Sequence, residues 1–208
     1  METQHHASSW PVTAGIVLRT YPLTESSLIV RWITRDFGRI NTVAKGARNP
    51  KSNLFGKLDL YYFVDFSFKR SRTSDLHTLK EAVVRESHPG IRTDLVRLEL
   101  IVKAATIIEK HTEDATPLPG YYTLLRDYIA CVQKAKSPEV TVAAYKIKFL
   151  AEYGLTPNID SVDLSPAAKQ ILKHSLAFSW DSIECIKPTK TQFQEINLFL
   201  DRFIQENL

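Results

Sequence analysis

The hydrophobic period of this chain changes once, at His88–Pro89–Gly90, and that change limits what it can fold into. Ahead of it, apolar residues recur at every second position. Beyond it, they recur at every third or fourth. A period of two marks a half-buried strand, and a period near 3.6 marks an amphipathic helix. The chain therefore reads as α+β, with strands over residues 1–86 and an all-helical domain over 87–208.

Five stretches in the first part read as strands. They are "AGIVLRT", "SSLIVRWIT", "GRINTVAK", the run 58–68 and "SDLHTLKEAVV". The second places Leu28, Val30 and Trp32 on one face, with Ile29, Arg31 and Ile33 on the other; Trp32 therefore belongs to the core. Asp36–Phe37–Gly38 reads as the turn into the third. In the fourth, every even position from Leu58 to Phe68 is apolar, while Asp59, Asp65 and Ser67 fall between. Five short strands in about eighty residues fit a small antiparallel barrel, the five-stranded OB-fold.

The helical part carries repeated end signals. One stripe is Leu95, Leu98, Val102, Ala105 and Ile108, and a second is Tyr122, Leu125, Ile129 and Val132. A third helix has Ser137 as N-cap, Pro138 in its first turn, Gly154 after its end and Pro157 beyond. Its inner face carries Val140, Ala144, Ile147 and Leu150 or Ala151. Ser165–Pro166 opens a fourth helix. Phe193, Ile196, Leu200, Phe203 and Ile204 mark a fifth. Such stripes are the core of a helix bundle.

Charge is distributed unevenly between the two parts. Residues 1–80 hold 12 Lys and Arg against 6 Asp and Glu, whereas 81–208 hold 15 against 17. A basic domain beside a near-neutral one points to a polyanion partner. The densest region contains "GARNPKS", which looks like a damaged phosphate loop. A Walker A loop needs a glycine before its lysine, and here that place is Pro50, which has no N–H to offer a phosphate. No helical pattern opens at Ser52, so no helix dipole faces the loop. What remains is cationic. Arg35, Arg39, Lys45, Arg48, Lys51 and Lys57 lie within 23 residues and are the candidate nucleic-acid-binding residues, without a choice between DNA and RNA. Phe37 and Phe55, in loops among them, are candidates for stacking on bases. Cations of this kind neutralise phosphates and make affinity depend on salt.

No catalytic residues are assigned, and the chain is not read as an enzyme. It has no G-x-S-x-G, H-E-x-x-H or C-x-x-C, and no Gly-rich dinucleotide loop. Its six histidines are scattered; His111, near a helix end, suits the helix dipole when positive. Glu113–Asp114 sits on an exposed helix end. Cys131 and Cys185 are expected as free thiols of a protein in a reducing cytoplasm. No apolar run spans a membrane, and "METQHHASSW" lacks the basic start and apolar core of a leader.

"GIVLRTYPLTESSLIVRWITRDFGRINTVAKGARNPKS" resembles the opening of the RecO family of bacterial DNA repair and recombination mediators. Gly15 to Leu18, Glu25 to Ser27, Gly38, Val43 to Arg48 and Lys51–Ser52 carry the likeness. "DLHTLKEA" is similar to the family's barrel end, and "YKIKFLAEYGLTPNID" to its helix and Gly-x-x-Pro turn. The resemblance implies an N-terminal OB-fold on a helical domain. It further implies binding of single- and double-stranded DNA and ATP-independent strand annealing. It also implies a RecR-type partner and single-stranded DNA-binding protein as partners in loading a recombinase, with no cofactor.

Many members carry four cysteines after the Gly-x-x-Pro turn, set as a zinc site. Here "NIDSVDLSPAAK" follows Pro157 without one, so no zinc finger and no metal are expected. Two alternatives stay open: an interaction adaptor with a structural barrel, and an RNA-binding OB protein. Lys103, Lys110, Lys146 and Lys148 are the helical cations available to a docked acidic tail.

Overall fold

The computed structural model describes residues 10–183 and 186–208, which fall into two compact units. The first runs to Ser87 and takes in Glu113–Pro119; the second comprises His88–Thr112 and Gly120–Leu208. His5, His6 and Cys185 lie outside the described residues.

The first unit is the OB barrel. Its strands are β1 (Val12–Pro22), β2 (Leu28–Thr34), β3 (Gly38–Ala44), β4 (Phe63–Lys69) and β5 (Leu76–Glu86). They close in the order β1-β2-β3-β5-β4, with β4 returning to β1. The β3–β5 pairing is parallel and the others are antiparallel. Inside, Trp32 stacks on Phe66 with ring centroids 4.2 Å apart. Its indole N–H donates to Thr42 Oγ1 at 2.8 Å, so the one polar atom of the ring is satisfied. Val17, Val30, Ile40, Val64, Phe68 and Leu79 complete the core. Gly15 leaves room for the stack: a Cβ there would stand 2.7 Å from the Phe66 ring.

The alternation over 58–68 predicts a strand from Leu58, but β4 begins at Phe63. Asp59 turns the chain first. Its carboxylate accepts the Leu60 amide at 2.8 Å, its carbonyl accepts Tyr62 N–H at 3.2 Å, and Tyr61 takes φ 62°. Leu58 is nevertheless buried in the barrel and Tyr62 packs against it. Leu60 is exposed and Tyr61 is buried in its place, so the alternation holds as a strand only from Phe63 onward.

Glu113–Pro119 straps the barrel at the edge of β3. Asp114 makes a parallel bridge to Arg39, and the Ala115 amide donates to the Arg39 carbonyl at 2.7 Å. The Asp114 carboxylate takes Arg39 Nη2 at 2.8 Å and Asn41 Nδ2 at 3.4 Å. Gly38 permits this approach. It sits at φ +63°, and a Cβ would lie 1.8 Å from the Thr116 carbonyl oxygen. Glu113–Asp114 is exposed just past the end of α2, as expected, and serves in addition as a barrel strap.

The second unit contains α1 (Pro89–Arg92), α2 (Leu95–His111), α3 (Pro119–Lys134), a 3₁₀ turn (Pro138–Val140), α4 (Thr141–Tyr153), α5 (Pro166–Ala177), α6 (Trp180–Ile183) and α7 (Lys190–Asn207). Ile147, Leu150, Leu172, Ile196 and Leu200 knit α4, α5 and α7 into one core. Ser165 caps α5 as its sequence predicts, by accepting the Ala168 amide. Two expectations fail. Leu95 is 69% exposed, because α2 buries Leu100, Ile101, Ala104, Ala105 and Ile108 and its first turn extends past that contact. Ser137 makes no side-chain cap, because a 3₁₀ turn intervenes before α4 starts at Thr141. Both α1 and α6 are four-residue helices, too short to carry a period.

Gly38→Ala should destabilise the barrel by about 2 kcal/mol or more, through left-handed strain plus collision with the strap. Gly56, at φ +71° with nothing within 4 Å, provides the control: Gly56→Ala should cost only about 1 kcal/mol. Chemical denaturation measures both, and only Gly38→Ala should speed exchange of the Ala115 amide.

Candidate nucleic-acid interface

Residues 45–57 leave β3 as a chain of tight turns. Ala47 N–H donates to the Ala44 carbonyl, Asn49 to Gly46, Ser52 to Asn49, Phe55 to Ser52 and Lys57 to Leu54. Side chains take two more amides: Asn49 Oδ1 accepts from Lys51 and Ser52 Oγ from Leu54. The remaining ties run to the β1–β2 loop. Arg48 N–H donates to the Ser26 carbonyl at 2.9 Å and Gly46 N–H to Ser27 Oγ at 3.4 Å. Buried Ala47 and Leu54 pin the loop to the core. Most of its amides are therefore satisfied inside the protein, so this is not a phosphate nest.

What faces outward is charge. Lys45, Arg48 and Lys51 are exposed and Lys57 is half-buried. The thirteen residues contain four cations and no carboxylate, and none of the four is ion-paired among the described residues. Arg48 Nη1 donates to the Thr24 carbonyl at 3.1 Å, which orients the guanidinium. Phe55 is 51% exposed; Tyr21 and Leu23, at the β1–β2 hairpin, also leave apolar surface in solvent.

Arg35 and Arg39 lie elsewhere. The seven residues of β3 hold them about 20 Å from the loop. Arg35 pairs with Asp36 at 3.2 Å. Arg39, with a side chain only 9% exposed, pairs with Asp114. Phe37 is half-buried, packs edge-on against Phe68 at 5.3 Å, and lies under the Arg70 guanidinium at 4.9 Å. The six cations that are contiguous in sequence therefore divide between a neutralised end and a free end.

A second cationic cluster surrounds the β4–β5 hairpin: Lys69, Arg70, Arg72 and Lys80, all exposed. Lys80 and Lys69 lie 5.1 and 5.8 Å from the Trp10 ring centre. "KRSR" was a visible signal, but its link to Lys80 and Trp10 exists only in the folded barrel. Between the clusters, Arg19, Arg31 and Asn41 stand in cross-strand register on the outer face. No run of sequence shows that row either.

The helical unit holds a cleft of about 570 Å³ lined by Leu100, Lys103, Val142, Lys146, Phe193 and Asp201. Lys146 Nζ is buried there against Asp201 at 2.6 Å and Asn197 at 2.9 Å. Lys103 is exposed, and Lys110 is exposed at the end of α2. Lys148 bonds the Phe178 carbonyl at 2.9 Å, and burial lowers its pKa. Burial, helped by Lys110, also lowers the His111 pKa, against the positive charge its place at the helix end suggests.

The segment after the Gly154–Pro157 turn does not offer the ligands of a zinc site. It has no cysteine, and its Asp160 carboxylate is taken by Lys173 at 2.5 Å. Among the described residues no three His, Cys, Asp or Glu side chains gather as metal ligands, and no helix is long and apolar enough to cross a membrane.

At the neutralised end, the Thr13 hydroxyl donates to Asp36 at 2.7 Å and, with Arg35, holds that carboxyl below its ordinary value of 3.8. A depressed carboxylate stabilises the fold above its unfolded pKa, and that stabilisation is lost as pH falls through the folded value. Thr13→Val should therefore raise the Asp36 pKa in an NMR titration. Wild type and variant should differ in stability at neutral pH and converge in acid.

Residues 10–88 match the family model described as the N-terminal domain of recombination protein O. The chain is 30% identical over 146 residues to the DNA repair protein RecO of Halalkalibacterium halodurans, covering 70% of this chain and 57% of that one. It is 32% identical over 146 residues to the Listeria welshimeri protein of that name, covering 70% and 56%. The Bacillus subtilis protein is 30% identical over 146 residues, again covering 70% and 56%. The match thus spans just over half the length of these curated relatives.

Proposed function

The chain belongs to the RecO family through the barrel domain at residues 10–88, and on that premise we propose that it is a DNA-binding recombination mediator in DNA repair. The observation that carries this reading is the 45–57 loop, whose amides turn inward and whose four unpaired cations turn outward. Such a loop takes phosphates by side-chain charge, which is independent of base sequence. It tolerates single and double strands alike and leaves base edges free to find a complement. Annealing by this route needs no nucleotide, in keeping with a loop whose Pro50 lacks an N–H and whose other amides are largely occupied.

The helical cleft supports a partner-docking role. Its lining is largely apolar and the exposed Lys103 supplies positive charge, while Lys146 is neutralised by Asp201; the apolar surface with Lys103 is the part suited to the acidic, apolar tail of single-stranded DNA-binding protein. A RecR-type protein completes the set expected for loading a recombinase, in a cytoplasmic, nucleoid-associated setting. An adaptor whose barrel is only structural is the competing reading, favoured by that cleft; an RNA-binding barrel differs only in its polymer.

Fluorescence anisotropy of an unstructured single-stranded DNA over a salt series tests the proposal. The wild type should bind, with log affinity falling linearly in log salt. Arg48→Ala/Lys51→Ala should bind more weakly and flatten the slope by about 1.4, the share of two phosphates on a single strand. No binding at low salt would leave the adaptor reading, and tighter binding to the matching RNA would favour the third.

A further inference from the structure

We infer that Trp10, with Lys69 and Lys80 around it, continues the track of the 45–57 loop and is the element that makes the barrel prefer an unpaired strand. The inference rests on the strand-binding reading above and names the form of nucleic acid that the site selects.

Strand register brings the loop and the tryptophan together. Val43 on β3 pairs with Thr78 on β5, and Thr78 pairs with Lys69 on β4. Phe68 N–H donates to the Pro11 carbonyl at 3.1 Å, which sets Trp10 beside Lys69. The row from Val43 to Trp10 crosses three strand spacings, about 14 Å. Because β3 and β5 run parallel, Lys45 and Lys80 both stand two residues past the Val43–Thr78 pair. Residues two apart on a strand share a face, and Lys45, Lys69 and Lys80 are all exposed. The loop that carries Arg48 and Lys51 leaves β3 at this same end. Asp75 and Glu81 are the carboxylates between residues 69 and 82, and neither pairs with these lysines among the described residues. One strand can therefore pass from the loop over Lys45 and Lys80 to Trp10 while staying on cationic surface.

Trp10 adds what the lysines lack. Its ring is half-buried, with Lys80 Nζ 5.1 Å and Lys69 Nζ 5.8 Å from its centre. Both ammonium groups lie within the range of attraction to an aromatic face, which steadies the ring at the barrel surface. A ring so held can stack on a base, with the two cations in reach of the phosphates on either side of it. Bases of a duplex are already paired and stacked, and drawing one out is costly. Phosphate contacts from the loop serve either form alike. The preference for an unpaired strand therefore lies at Trp10.

Fluorescence anisotropy of the full chain with labelled dT20 and with a 20-base-pair duplex gives the ratio of the two affinities. Trp10→Ala should lower that ratio about fivefold or more, the share of one stacked base, and Trp10→Phe should largely restore it. Lys69→Ala/Lys80→Ala should weaken dT20 binding and flatten its salt slope by about 1.4, the share of two phosphates. Native mass spectrometry should count one dT20 per chain. Quenching of Trp10, read as the difference between wild type and Trp10→Phe, should follow dT20 and not the duplex. In Arg48→Ala/Lys51→Ala it should move to higher dT20 concentration, because both groups hold the same strand. An unchanged ratio in Trp10→Ala without quenching in the wild type would overturn the proposal and leave the loop reading standing. Equal losses on strand and duplex would make Trp10 a packing residue and overturn it too. Two dT20 strands per chain would mean separate sites and overturn the shared track. A wild type that binds neither form would remove both readings.

Discussion

The barrel depends on Trp32. Its ring stacks on Phe66 across the interior, and its N–H meets Thr42 on the neighbouring strand. That one side chain therefore fixes β2 against β4 by packing and against β3 by a directional bond. A large aromatic gives much buried area, but it specifies a register only when its polar atom has a single partner. Gly15 is the counterpart on β1, keeping clear the space the stack needs. With β1 to β4 set around this centre, β5 closes the ring by pairing with both β3 and β4.

The surface loops draw their character from this rigid frame. Ala47 and Leu54 insert into the same core, and the β1–β2 loop accepts the neighbouring amides. The loop's backbone is thereby saturated, and its lysines and arginine are left as the reactive groups. An ATP-binding loop is built the opposite way, with its amides facing the ligand. Two loops of similar composition can thus differ in function through where their N–H groups point.

Much of this was legible in the sequence. Period and turn residues placed all five strands and the five longer helices, because each repeats its signal over several residues. The core position of Trp32 followed from its sharing a face with Leu28 and Val30. Other features depend on residues far apart. Asp114 gives no sign of its link to Arg39 across 75 positions, so the neutralisation of that arginine was hidden. The Trp10–Lys69–Lys80 group is likewise assembled from three separate segments. Leu95 misled because a helix stripe gives direction but not the point where the neighbouring surface ends.

The strap makes the barrel's physical extent differ from its stretch of chain. Seven residues encoded after α2 supply the bridge beside Arg39 and the carboxylate that neutralises it. A fragment ending where the strands end would expose that edge of β3 and leave the Arg39 charge without Asp114. Open strand edges recruit other strands, commonly those of a second identical chain. The barrel is thus complete only with seven residues that the chain supplies after α2, the piece that keeps a small sheet from completing itself with a neighbour.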